Sequence, residues 1–226
     1  MAKGRRGPLA ADFTVAFDWN GTLVDDAERA RLAVSSVLRR RGLAELGSGA
    51  FHDGFCLPMT RWLGALGINS DDVEDAVREW NDEVLSRHAA LSPDALTTVA
   101  RLKSMGIEVG VVSAAATATV RRDLQQLGLA EHVGFVVGAA DPKGETLRGL
   151  MQDLPGDLVY VGDTEYDMSE ARSAGAWAIG YGGGYRPAAA LAAAQAVHVI
   201  DRLSELPGLL TWLRGRPAAA GNDGAR

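Results

Sequence analysis

Six short apolar runs, most of them rich in β-branched residues and closed by a polar residue or a glycine, restrict the possible folds more than anything else in the chain. The first lies in 15-VAFDWNGTLVDD-26 and stops at Asp18; the others are 107-IEVGVV-112, 133-VGFVV-137, 158-LVYVG-162, 176-AWAIG-180 and 197-VHVI-200. Strands apolar along nearly their whole length suit a sheet covered on both faces, where no side chain of the strand meets water. Helical patterns lie between them. The segment 92-SPDALTTVARLKSMG-106 carries Ser92 at an N-cap, Pro93 at the first helical position and Gly106 where a left-handed C-cap belongs. Residues 116–127 form another helix closed by Gly128, and 188-AAALAAAQA-196 reads as a short one. Strands alternating with helices of this length require right-handed crossovers, so the expected class is α/β with a Rossmann-like parallel sheet.

The first run contains a competing signal. Asn-Gly between apolar residues is the strongest short-range indication of a hairpin. A hairpin needs a second strand directly afterwards, whereas 25-DDAERARLAVSSVLRRR-41 has acidic residues in its first turn and arginines in its last, as a helix macrodipole favours. From Val24 to about Leu91 no strand-like run occurs, which predicts a helical insertion after the first strand. Within it, 70-SDDVEDAVREWNDEVLSRHAAL-91 aligns Val73, Val77, Trp80, Val84 and Leu85 in one stripe, assigned to packing. The expected organisation is an N-terminal tail 1–12, an α/β core 13–23 and 92–214, a helical cap 24–91 and a C-terminal tail 215–226 whose composition is that of a frayed end.

With 226 residues, 47% of them hydrophobic, the chain can bury one substantial core and a small second domain. The formal net charge of −6 argues against wrapping nucleic acid or anionic lipid, which requires clustered cations. No segment has the length and apolarity of a membrane span or of a signal peptide. Cys56 is the only cysteine and is expected to be a buried, inert thiol; a lone thiol fits a reducing, cytoplasmic setting. Nothing in the sequence fixes an oligomeric state.

Ligands of an open parallel sheet bind beyond the carboxyl ends of its strands. There the first strand ends in Asp18, the second in Ser113 and the fourth in Gly162-Asp163, with Asp167 one turn later, while Lys143 opens the helix after the third. With the segments VAFDWNGTLVDD, VGVVSAAA, DPKGETL and VYVGDTEYDMSEARSAG in this order, residues 13 to 213 resemble the haloacid dehalogenase-like superfamily of phosphohydrolases, in its phosphoglycolate phosphatase-like subgroup with a helical cap after the first strand. The resemblance implies that Asp18 is a nucleophile forming an aspartyl-phosphate. It implies that Asp18, Asp163 and the main-chain carbonyl of Asn20 hold Mg²⁺, with Asp167 acting through water or at one remove. It also implies that Lys143, Ser113, the Ala114 N–H, Gly21 and Thr22 serve the phosphoryl group of a small phosphorylated metabolite.

Asn20 departs from the family pattern, which usually has a second aspartate there as general acid and base. An amide cannot trade a proton near neutral pH. General acid–base help contributes about 10² to 10⁴ in rate, a small part of the acceleration available to phosphate-ester hydrolysis. The remaining apparatus therefore suffices for substrates whose leaving group needs little protonation, or an acid is supplied by Asp25, Asp26, Glu165, His52 or His88. Two further readings stay open: a catalytically impaired phosphate-binding homologue, and a hydrolase of C–X bonds of the dehalogenase or phosphonatase type. The phosphonatase chemistry needs a cap lysine, which residues 24–91 lack, and the Asp163–Asp167 pair argues for a metal that the dehalogenases do not need. The loop 50-AFHDGFCLPMTRWLGALG-67 is expected to face the site and set specificity, with Arg61 offered to a second anionic group and His52 to a hydroxyl; 180-GYGGGYRP-187 reads as a flexible strand exit on the ligand side.

Overall fold

The computed structural model describes residues 12–216. The expected tails 1–12 and 215–226 therefore fall largely outside the described residues. Strand β1 (Phe13–Phe17) is followed by four helices, α1 (Ala27–Arg40), α2 (Ser48–Gly54), α3 (Met59–Ala65) and α4 (Val73–Leu85), before any other strand. Then come α5 (Ala95–Ser104), β2 (Glu108–Val112), α6 (Thr117–Gln126), β3 (Phe135–Val137), α7 (Lys143–Asp153), β4 (Asp157–Gly162), α8 (Glu165–Ala174), β5 (Trp177–Tyr181), α9 (Ala188–Ala193), β6 (His198–Ile200) and α10 (Leu206–Leu213).

All six apolar runs form strands of one parallel sheet in the order β3-β2-β1-β4-β5-β6. The sheet is covered on both faces, as the unbroken apolarity requires. Along β1, Phe13, Val15 and Phe17 join a core shared with α5, α6 and α10, while Ala16 joins the opposite core with α7, α8 and α9. The helices of 27–85 close a core of their own around Val34, Phe51, Trp62 and Trp80. No helix among the described residues is long and apolar enough to cross a membrane.

Two of the helix boundaries that differ from those expected have a visible cause. Helix α5 begins at Ala95, not Pro93: Asp94 takes a left-handed φ of 64° and the Ala95 N–H bonds the Ser92 carbonyl at 3.1 Å, so Ser92 and Pro93 belong to a turn. Its other end behaves as expected, with Gly106 at φ 77°. Helix α4 stops at Leu85, six residues early. Past Ser86 the chain is drawn back beside the outgoing segment, where Leu91 bridges Val24 and the Asp25 N–H bonds the Ala90 carbonyl at 2.9 Å. This pairing gives Ala90 and Leu91 a backbone partner that helix continuation would forfeit.

Candidate active site

The strand order reverses between β1 and β4, the crevice where an open sheet binds its ligands. Asp18 and Asp163 are the residues that follow these two strands. The Asp18 N–H donates to the Val161 carbonyl at 2.8 Å, extending the β1–β4 ladder one residue and fixing the carboxyl at the crevice. Asp163 is fully buried; Thr22 Oγ1 donates to its Oδ1 at 2.9 Å and the Tyr185 N–H to its Oδ2 at 2.7 Å. The approach is so close that a Cβ at Gly21 (φ 76°) or Gly184 would run into this carboxylate. Asp167, in the first turn of α8, forms a capping box with Thr164: its Oδ2 accepts the Thr164 N–H at 3.0 Å and the hydroxyl at 2.6 Å.

Lys143 ties the group together. Its side chain is wholly buried, with Nζ 2.6 Å from Asp167 Oδ1 and 3.0 Å from Asp18 Oδ2, over the rings of Tyr160 and Tyr166. Burial opposes its charge, but Asp167 and Asp18 outweigh that and hold the ammonium protonated beyond its ordinary range. Asp18, Asp163 and Asp167 each bring a carboxylate oxygen within 4.8 Å of the others, and the Lys143 ammonium bonds two of them, Asp18 and Asp167. Burial is the main reason Asp18 is pushed up to about 6, with Lys143 opposing and Asp167 adding to the rise. Asp163, which pairs with no cation among the described residues, is pushed well above the usual carboxylate range by burial and then by Asp167 and Asp18.

An all-oxygen donor set with buried, uncompensated negative charge is what a hard divalent cation such as Mg²⁺ requires, and these residues fit one. A consequence can be measured in the metal-free protein. A carboxyl whose folded pKa lies above its unfolded value takes up protons more readily folded than unfolded, so stability falls as pH rises. For Asp18 that window runs from about 3.8 to about 6. Metal-free melting curves should therefore decline between pH 4 and 6, and the gain in melting temperature on adding Mg²⁺ should be larger at pH 7.5 than at pH 5. Equal gains at both would count against the carboxylate trio as the binding site.

Asn20 donates its amide N–H to Asp26 Oδ2. Asp26 is buried, and its Oδ1 accepts from the Gly21 N–H at 3.1 Å and the Tyr185 hydroxyl at 2.7 Å. Of the five side chains proposed as substitute acids, Asp26 is the one that touches Asn20. Glu165 is held by Arg186 at 2.9–3.1 Å, and Asp25, His52 and His88 are exposed.

A cleft opens over these groups, with Asp18, Asn20, Ser113, Ala114 and Lys143 on the sheet side. Ser113 is fixed by its N–H to the Val137 carbonyl at 3.0 Å, and its Oγ accepts the Ala115 N–H at 3.2 Å. Gly21 and Thr22 stand behind the cleft wall: the Gly21 N–H is taken by Val24 and Asp26, and the Thr22 hydroxyl by Asp163. Arg61 and His52, expected to serve specificity, are not brought to this cleft. Both are exposed and absent from the cleft wall, His52 lying 3.4 Å from the Tyr185 carbonyl, because the buried positions of their helices go to Phe51, Trp62 and Leu63. Cys56 is half-buried rather than buried. The strand exit 180–187 is packed, not loose: Tyr185 binds Asp163 and Asp26 and stacks edge-on against Phe51 and Phe55. Trp80, expected only to pack, also forms cleft wall. A glycine triplet before an aromatic residue at a strand's ligand-side exit was the available signal for Tyr185.

The sequence matches the family model described as haloacid dehalogenase-like hydrolase over residues 15–181. It is 30% identical to the protein named Probable phosphatase IndB of Dickeya dadantii, over 86% of this chain and 91% of that one. Identity to the phosphoglycolate phosphatase of Rhodobacter capsulatus is 29%, over 87% and 97%. The fold is similar to a haloacid dehalogenase-like family protein of Streptococcus pneumoniae, with a TM-score of 0.79 at 19% identity over 88% of this chain and 98% of that one.

Proposed function

The chain belongs to the haloacid dehalogenase-like hydrolases, and we propose that it is a phosphatase of small phosphorylated metabolites that works through an aspartyl-phosphate on Asp18. The observation that carries this reading is the convergence of Asp18, Asp163, Asp167 and Lys143 at one end of the sheet, beside Ser113. Asp18, Asp163 and the Asn20 carbonyl would hold Mg²⁺, with Asp167 steadying Lys143; the cation, when bound, neutralises charge between carboxylate and phosphate.

Asp18 Oδ attacks phosphorus, the P–O bond to the leaving group breaks, and that oxygen departs with the bonding pair. Water then attacks the phosphorus of the acyl phosphate, releasing inorganic phosphate and restoring the carboxylate; the water's proton passes to solvent. Lys143 keeps its charge throughout and offsets the negative charge that gathers on the equatorial oxygens, which the Ser113 hydroxyl and Ala114 N–H also face. Residues 24–91 act as a cap that covers the strand ends, excludes water and opens to admit substrate. The Asn20 amide, already donating to Asp26, supplies no proton to the leaving group.

This last point sets the test. With Mg²⁺ the protein should hydrolyse acetyl phosphate and p-nitrophenyl phosphate, whose leaving groups depart as stable anions, and act poorly on alkyl phosphates. Asn20→Asp should raise the alkyl phosphate rate by about 10- to 100-fold and leave acetyl phosphate nearly unchanged, because protonation matters only for the poorer leaving group. No phosphate release from any of the three by either protein would overturn the proposal. The fixed Asn20 amide also favours a second reading, a phosphate-binding protein without turnover, which that outcome would support if phosphate analogues still bind.

A further inference from the structure

The cleft wall contributed by the helical segment carries no charge. It consists of Phe55, Leu57, Met59 and Trp80, facing Asp18 and Lys143. Among the described residues that line the cleft, Lys143, on the opposite, sheet side, is the one cation, and two carboxylates already share it. A second, open cavity adjoins the cleft, sharing Leu57, Met59, Trp80 and Ala114 with it; its polar lining is Thr60, Glu74, Asn81 and Asp141, with no lysine or arginine. Arg186 lies in a neighbouring recess, where Nε and Nη2 bond Glu165 at 2.9–3.1 Å and Nη1 donates to the His52 carbonyl at 2.8 Å. Arg61 is exposed and lines neither space.

Taking the cleft as the phosphatase site proposed above, we infer that its substrate is a phosphomonoester with a neutral or cationic leaving group, apolar beside the ester oxygen and carrying hydrogen-bond donors farther out, and that a carboxylate at this place is rejected. A carboxylate pressed against Leu57, Met59 and Trp80 gives up its hydration and meets no counter-charge. Glu74 and Asp141 repel it at the mouth, and they accept from hydroxyl or amino groups of the favoured ligand. The walls thus discriminate against one class of substrate as well as admitting another. This separates the chain from relatives named for phosphoglycolate, whose leaving group bears a carboxylate.

Binding of non-hydrolysable phosphonates tests the inference independently of turnover. Calorimetry with Mg²⁺ would compare 3-phosphonopropionate, 3-phosphonopropionamide and 2-phenylethylphosphonate, which differ in the charge and apolarity of the group beyond phosphorus. The amide should bind at least about tenfold more tightly than the carboxylate, and the phenyl compound more tightly still. Leu57→Arg, or Met59→Arg if the first does not fold, should bring the carboxylate to parity or better. A carboxylate that binds the unaltered protein as well as the amide, or failure of all three to bind, would overturn the inference. The expected order without turnover of any phosphoester would sink the catalytic proposal and uphold this one; turnover with the order reversed would do the opposite.

Discussion

Asp18→Asn abolishes phosphate release, by about 10⁴-fold or more, and at the same time makes the metal-free protein more stable at pH 7.5. The first effect is the usual cost of deleting a nucleophile, the role proposed for Asp18. The second follows from the electrostatics of the crevice. Asp18 is pushed up to about 6 with Lys143 beside it, so ionising it costs more through burial and Asp167 than Lys143 returns. An amide of the same shape removes that cost at any pH above about 6; its single oxygen accepts from either the Trp19 N–H or the Lys143 ammonium, not both, which offsets part of the gain. A rise of about 2 to 5 °C in melting temperature is expected for a chain of this size. The added stability from Mg²⁺ should shrink in the same variant, since one of its ligands has lost its charge. Scanning calorimetry with and without Mg²⁺, beside a phosphate-release assay, reads all three quantities. Activity within tenfold of the parent would remove Asp18 from the nucleophile's role. Lost activity with lost stability would mean that the Lys143 pairing outweighs burial at this site.

The parts of the site that could be read from the sequence are those fixed by backbone topology. Strand ends are set by where an apolar run stops, so Asp18, Ser113 and Asp163 could be assigned to one edge of the sheet from alternation alone. Lys143 and Asp167 followed because each stands in the first turn of the helix that enters beside that edge. The wall of the cleft was harder, since it depends on how two separately closed cores meet. Helix α3 has both Arg61 and Trp62 within one turn, and which of them turns inward is decided by the Phe51, Phe55 and Trp62 cluster, not by the spacing of the helix itself. Tyr185 was hidden for a related reason: three glycines suggest looseness, whereas here the last of them, Gly184, lets the chain press against Asp163, and the aromatic ring packs against Phe55 of the helical segment. The short range of α4 came from a contact with Val24 distant in sequence, which no local propensity records.

Lys143→Met should be the most destabilising single change in the crevice. Removing one partner from a buried charge cluster leaves the others uncompensated, at a cost of about 3 to 5 kcal/mol, which for this length corresponds to a fall of roughly 10 °C in melting temperature. A lysine whose folded pKa is raised contributes its full stability below its unfolded value, so the deficit of the variant is present throughout the neutral range. It should diminish toward pH 5, because Asp18 then takes up a proton in the folded state and no longer needs the ammonium. Turnover should fall about 10³-fold even where the variant remains folded, since the charge that faces both the nucleophile and the phosphoryl group is gone. Lys143→Arg is no rescue: the guanidinium is larger than the ammonium, and the position is wholly buried between Asp18, Asp167 and two tyrosine rings. Melting curves of the metal-free Met and Arg variants from pH 5 to 8 decide the matter. A Met variant as stable as the parent across that range would mean that Lys143 does not hold Asp18 and Asp167 together.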